Sequence, residues 1–274
     1  MDLNTDYIIT SDKILNFINK LDNSKIVYIK TDFIKNINNS IVKISNWRNM
    51  NKIIDLKNIE ILVTGHSAFS IGPEELDILN YPNLKIWICQ NKNLNHPKLK
   101  SIPIGITNKD EPTVAVCKII GNTDVIYKIL KQPKNIKNLV YLNIKTITFS
   151  SERENIVNLY KNKPWVTYEI GNKSIDGHKN FIEQIYNHKF VFAPRGVGID
   201  THRLWESLYL NSIPIVKKHF GMEEFYDLPI LFVDSWDNIT EEYLNDKYNE
   251  ITSKSFNLDK LSIEYWYKLL SKLF

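Results

Sequence analysis

The sequence predicts an α/β protein with largely parallel sheets, and three observations carry that prediction. Short apolar runs alternate with amphipathic stretches along the chain, the pattern of strands and the helices that cover them. The 274 residues suffice for one large domain or two of ordinary size, each with its own core. Apolar residues at 43% and charged residues at 24% match a compact globular chain and exclude a disordered or fibrous one.

The elements follow in order. Helical spacing over 11–21 leads into the apolar run KIVYIK at 25–30, the first strand, and EILVT at 60–64 is the second. A helix over 74–80 precedes strands at 85–89 (KIWIC) and 101–104 (SIPI), and a further helical pattern covers 123–130. Beyond it, strands at 139–143, 165–168, 190–193, 213–216 and 230–233 alternate with helices at 151–160, 179–186, 201–210 and 240–248. The chain closes on a helix over 258–273 with Tyr265, Trp266, Leu269 and Leu270 on one face.

Two successive βα sets result, separated at the polar segment KQPKNIKN, 131–138, which contains Pro133. The expected domains are 1–133 and 134–257, with 258–274 crossing back to pack on the first. No internal repeat or low-complexity tract is evident in the sequence.

The formal net charge of +4 is small, and basic residues are interleaved with acidic ones, so no nucleic-acid-binding stripe is expected. Cys89 and Cys117 lack zinc-site spacing and are too few for a disulfide scaffold, which fits a reducing compartment. The first residues carry acids and no continuous apolar core, unlike a secretory signal or transit peptide. No apolar run approaches the roughly 18 residues of a membrane span. A soluble, cytoplasmic protein is expected.

The segment KFVFAPRGVGIDTHRLWESLYLNSIPIVKK, 189–218, reads as strand, glycine-containing loop, helix and strand in succession. In an open parallel sheet, ligands enter the crevice beyond the strands' carboxyl ends, where a helix N-terminus offers N–H groups to an anion. Gly196 and Gly198 permit close backbone approach, so the loop is a candidate diphosphate cradle. Arg195 ends the strand, Arg203 lies in the first helical turn, and Glu206 sits on the same face. A guanidinium can grip diphosphate oxygens and a carboxylate can accept from ribose hydroxyls. The competing reading makes Asp200, Arg203 and Glu206 a surface ion-pair ladder, with Asp200 or Thr201 capping the helix. His202 reads as a packing or surface residue, and Trp205, Leu208 and Tyr209 as core.

The residues Ala193–Pro194–Arg195–Gly196, Asp200–Thr201–His202–Arg203, Trp205–Glu206 and Ile213–Pro214–Ile215–Val216 resemble the donor-domain motif of exostosin-like glycosyltransferases, including small viral and microbial members. The resemblance implies GT-B architecture, two Rossmann-like domains facing across a cleft, and sugar transfer with inversion and no obligatory metal or cofactor. It extends to LVYLNIKTITFSSER, where Arg153 would supply a second cation to the diphosphate; from the residues alone, Arg153 pairs with Glu152 or Glu154 on the helix surface.

In the first domain, EILVTGHSAFSIG and NLKIWICQNKNLNHPKLKSIPIGITN look like the family's acceptor-side pattern, which puts the loop at His66 over the reaction centre. Inversion needs a base to take the acceptor hydroxyl proton. Relatives usually carry an Asp two residues after the His position, and here that residue is Ala68, which cannot accept a proton. Either His66 is the base, or the chain is a variant without its base, or the base lies elsewhere. Gln90, Asn91, His96 and Asn108 are further candidates for sugar contacts, while Trp87 reads as a buried strand residue and Pro103 with Gly105 as a strand-end turn.

No Asp-x-Asp motif is present to hold a divalent ion, no zinc-ligand spacing occurs, and Gly196–Val197–Gly198 lacks the third glycine of a dinucleotide fingerprint. The expected function is inverting transfer of a sugar from a nucleotide donor to a glycan hydroxyl on an oligosaccharide or glycoprotein. By family analogy the donor is UDP-linked, xylose included, and the site is the host cytoplasm if the protein is viral. The alternative is a base-deficient protein that binds nucleotide sugar or glycan without turnover. A phosphosugar epimerase would need an acid/base pair across the cleft, and the sequence offers none.

Overall fold

The computed structural model describes residues 7–21, 23–35, 41–47, 50–107, 117–121, 123–172 and 174–273, without the side chains of 41–52 and 117–118. Helix α1 (Ser11–Lys20) starts where the Thr10 hydroxyl accepts the Lys13 N–H at 3.3 Å, and it buries Ile14, Leu15 and Ile18 along one face. Next come β1 (Ile26–Lys30), α2 (Thr31–Lys35), the antiparallel ribbon β2 (Ile41–Trp47) and β3 (Met50–Asp55), then β4 (Ile61–Gly65) and α3 (Leu76–Leu79). With β5 (Ile86–Cys89) and β6 (Leu99–Ser101), these form a four-stranded parallel sheet in the order β1-β4-β5-β6.

Helices α4 (Cys117–Ile120) and α5 (Asp124–Leu130) precede the second sheet. Its strands and helices alternate as β7 (Asn138–Leu142), α6 (Ser150–Tyr160), β8 (Val166–Tyr168), α7 (Ile175–Tyr186), β9 (His188–Phe192), α8 (His202–Tyr209) and β10 (Ile213–Lys217). They end in β11 (Leu231–Val233), α9 (Glu241–Thr252) and α10 (Ile263–Ser271). This sheet has five parallel strands in the order β11-β10-β9-β7-β8. The protein is thus mixed α/β with two parallel sheets.

Side chains alternate across the second sheet and feed two cores. Val140, Leu142, Phe190 and Phe192 join Ile156 of α6 and Leu244 of α9 on one face. Tyr141 and Val191 point the other way, into a core with Ile182, Trp205 and Leu208 that continues into the first sheet. Trp205 stands edge-on to Phe225 at 5.1 Å, and Phe225 to Trp266 of α10 at 6.2 Å.

The two halves exchange helices. Helix α10 returns to α1, where Tyr267 stacks on Phe17 at 4.4 Å and donates to the Lys13 carbonyl at 3.2 Å. Helix α5 lies on the N-terminal side of residue 133 in sequence and packs on α7, beyond it. The buried Tyr209 hydroxyl accepts the Ile9 N–H at 3.0 Å and donates to the Leu261 carbonyl at 2.8 Å. Lys92 pairs with Glu224 at 3.3 Å, and Ser101 Oγ donates to the Gly221 carbonyl at 2.7 Å.

Several elements differ from the sequence expectation. The strand expected at 101–104 occupies Leu99–Ser101, because Ile104 N–H leaves the ladder to donate to Asp200. The helix expected from 179 begins a turn earlier, at Ile175, where the Ser174 hydroxyl accepts the Gly177 N–H. The closing helix is broken at Ser262, which caps α10 after a 3-10 turn at Asp259–Leu261. The β2–β3 ribbon was not expected at all.

Candidate active site

In the second sheet the chain moves from β7 outward to β8, then returns to the other side of β7 to form β9. That reversal opens a crevice between the carboxyl ends of β7 and β9, the place where such sheets receive ligands. Arg153, buried on α6, fills its floor. Its Nε donates to the Arg195 carbonyl at 2.7 Å, Nη1 to Lys145 at 3.0 Å and Nη2 to Pro194 at 3.0 Å. Burial, with Arg203 second, lowers its pKa to about 10. Three of its five N–H donors go to backbone carbonyls, so Arg153 holds the loop at which the sequence had suggested a cation for diphosphate. Neither Glu152 nor Glu154 is its hydrogen-bond partner.

Beside this crevice lies a cavity of about 640 Å³, lined at its polar end by Asn143, Thr201, His202, Arg203 and Glu206. Arg203 and Glu206 occupy the first turns of α8, so the loop-to-helix junction brings them together as their spacing suggested. The Arg203 guanidinium lies over the Phe181 ring at 5.4 Å, and its Nε has no hydrogen-bond partner. Burial lowers its pKa while Glu206 raises it. Glu206 is only 6% exposed, and burial pushes its pKa up to about 7 against the pull of Arg203. A surface ladder would leave both groups in water, whereas Glu206 is buried and Arg203 half-buried.

Thr201 is the N-cap of α8, yet its hydroxyl makes no capping bond and has no partner. Asp200 does the tethering instead. Its carboxylate accepts from Ile104 N–H at 2.7 Å and Trp205 Nε1 at 2.8 Å, linking the first half to α8. Burial raises its pKa to about 7, opposed by those bonds and one from Thr201 N–H. His202 Nδ1 lies 2.8 Å from the Gly105 carbonyl, so Nδ1 carries a proton and donates to it. Gly105 adopts φ +67°, and a Cβ there would fall on the Ile9 carbonyl oxygen, so only glycine fits.

The glycine loop is held from the first half. Asn91 Oδ1 accepts Asp200 N–H at 2.9 Å and its Nδ2 donates to the Ser67 carbonyl at 3.1 Å. A Cβ on Gly198 would approach Asn91 Oδ1 to 2.8 Å, and one on Gly196 would approach Arg153 Nη2 to 3.2 Å. These glycines admit the chain's own side chains to the loop.

Arg195 faces a different space. With Phe149, Glu152, Lys217, Lys218 and His219 it lines a second cavity of about 270 Å³ on the β10 side of the loop. The structure therefore separates Arg195 from Arg203, which the sequence had grouped.

The first-half candidates are mostly buried structure. His66 has φ 53°, an uncommon conformation for a non-glycine residue, and Gln90 holds it by accepting its N–H at 3.0 Å. Its Nδ1 lies 2.7 Å from the Tyr28 hydroxyl and its Nε2 3.1 Å from Asp12, and the side chain is 3% exposed. Both ring nitrogens are engaged, which sets it against the role of base in this conformation. Ala68 is exposed. Gln90 is buried between His66, Ser11 and Pro103, and Trp87 is buried with its Nε1 bonded to Thr64. His96 accepts Lys98 N–H in its loop, and Asn108 lies outside the described residues.

Sequence reasoning missed Tyr168, His178 and Phe181, which line the main cavity. Tyr168 ends β8, and residues at strand carboxyl ends were the available signal. Among the described residues, no three His, Cys, Asp or Glu side chains are grouped to hold a metal, and no helix is long and apolar enough to cross a membrane. Compared with models of known protein families and with curated protein sequences, the chain gave no match.

Proposed function

We propose that the protein is an inverting glycosyltransferase of GT-B type, acting in the cytoplasm, that takes a sugar from a nucleotide donor to a glycan hydroxyl. The single observation that carries this reading is the half-buried Arg203 near the buried Glu206 at the start of α8, both lining a cavity of about 640 Å³. A cavity of that size accepts a nucleoside diphosphate with its sugar. Arg203 and the α8 N-terminus take the diphosphate, Glu206 the ribose hydroxyls, and Tyr168 and Phe181 offer rings to the base. UDP is the proposed nucleotide and xylose the proposed sugar, by resemblance alone.

In the reaction, an acceptor oxygen attacks the sugar's anomeric carbon as the bond to the diphosphate breaks. The electron pair leaves on the diphosphate, where Arg203 stabilises it without a metal. The acceptor proton goes to a base, and His202, which lines the same cavity as Arg203 and Glu206, stands where His66 does not.

One observation favours a second reading, a binding protein without turnover: His66 is clamped at both nitrogens and Ala68 offers no acceptor. Incubation of the chain with UDP-xylose and an oligosaccharide panel, followed by mass spectrometry, separates them. Xylosylated product supports transfer; saturable UDP binding without product or donor hydrolysis supports the binding protein.

A further inference from the structure

The second cavity holds an excess of positive charge that the proposed reaction does not use. Arg195, Lys217 and Lys218 line it against the single carboxylate of Glu152. Lys218 has its own carboxylate, but Arg195 and Lys217 are poorly neutralised within the protein. Lys217 stands 4.0 Å from Glu152, and the solvent-exposed Lys218 pairs with Asp234 at 2.9 Å. Arg195 lies over the Phe149 ring at 4.5 Å, makes one long bond of 3.4 Å to the Val197 carbonyl, and its Nε has no partner.

His219 adds a donor. Its Nδ1 accepts the Gly221 N–H at 3.0 Å, so the neutral ring carries its proton on Nε2. Burial, then Arg195 and Lys92, lower its pKa, which keeps it in that neutral form. Ile199, Val216 and Met222 supply an apolar wall, where a charge-assisted hydrogen bond is stronger than in open water.

We propose that this cavity is an oxyanion site, distinct from the Arg203 cavity, that takes a sugar-sized ligand bearing a phosphate, sulfate or carboxylate group. Arg195 and Lys217 grip the oxyanion and His219 donates to it. The loop at Pro194–Gly198, fixed by Arg153, separates the two cavities, so the sites can be filled together. The inference does not depend on what fills the Arg203 cavity.

The test titrates the intact ¹⁵N-labelled chain with inorganic phosphate, glucose 6-phosphate and glucuronate. Amide shifts at 195–199 and 216–222 are expected, with affinity weakened at least about tenfold in Arg195→Gln and in Lys217→Gln. Arg203→Gln should leave that affinity unchanged. Tighter binding of the two sugar acids than of phosphate places the oxyanion on a sugar, and equal binding makes the ligand the free anion. Absence of shifts at these amides up to tens of millimolar, or affinity unaltered in both Arg195→Gln and Lys217→Gln with their folds intact, overturns the proposal.

Discussion

Replacing Glu206 by Gln tests how this site is held. Glu206 is buried at 6% exposure, and its pKa is raised from the ordinary 4.5 to about 7 by burial. A carboxyl raised in the folded state stabilises the fold fully below pH 4.5, and that contribution is lost as pH climbs through 7. At about 1.36 kcal/mol per pH unit over that interval, the loss is about 3 kcal/mol. Glutamine keeps the shape and never ionises. Urea unfolding of both proteins at half-unit steps from pH 4.5 to 8.5 gives the difference curve, from which other titrating groups cancel. The variant should match the wild type near pH 4.5 and become more stable by up to about 3 kcal/mol at pH 8. A flat difference curve would mean that Glu206 ionises at its ordinary pKa, and the account of a buried carboxyl would fail.

Further outcomes are expected at other positions. Arg203→Ala should weaken UDP binding by about a hundredfold, the worth of two charge-assisted hydrogen bonds, read by calorimetry below the melting temperature of the variant, which falls because Glu206 loses the charge that opposes its burial. Tyr209→Phe removes the hydroxyl shared by Ile9 N–H and Leu261 carbonyl and should cost about 2–4 kcal/mol in urea unfolding. Asp200→Asn sets an amide N–H against a donor at Ile104 or Trp205 and should destabilise by about 1–3 kcal/mol, read from the same assay. Gly198→Ala pushes a methyl onto Asn91 and should weaken UDP binding several-fold with little change in unfolding midpoint.

The layered α/β pattern was legible because a strand buried on both faces reads as a nearly continuous apolar run, as in Ile61–Leu62–Val63 and Ile213–Pro214–Ile215–Val216. The β2–β3 ribbon was not, since polar residues interrupt IVKISNW and MNKIID and an antiparallel pairing depends on a distant partner. At the site, helical spacing placed Arg203 beside Glu206. It could not show that Arg195 turns to the opposite side of the loop, which depends on Phe149 beneath it. Nor could it show that Arg153 spends its donors on three carbonyls from two separate strand ends. His66 looked accessible on a loop, and only the approach of Tyr28 and Asp12 from other elements buries it.

The most direct test of the central claim is calorimetric titration of the unaltered chain with a panel of nucleoside diphosphates. Saturable binding of UDP at one site per chain, weakened about a hundredfold in Arg203→Ala, is the predicted result. Failure of every nucleoside diphosphate to bind at millimolar concentration would contradict it.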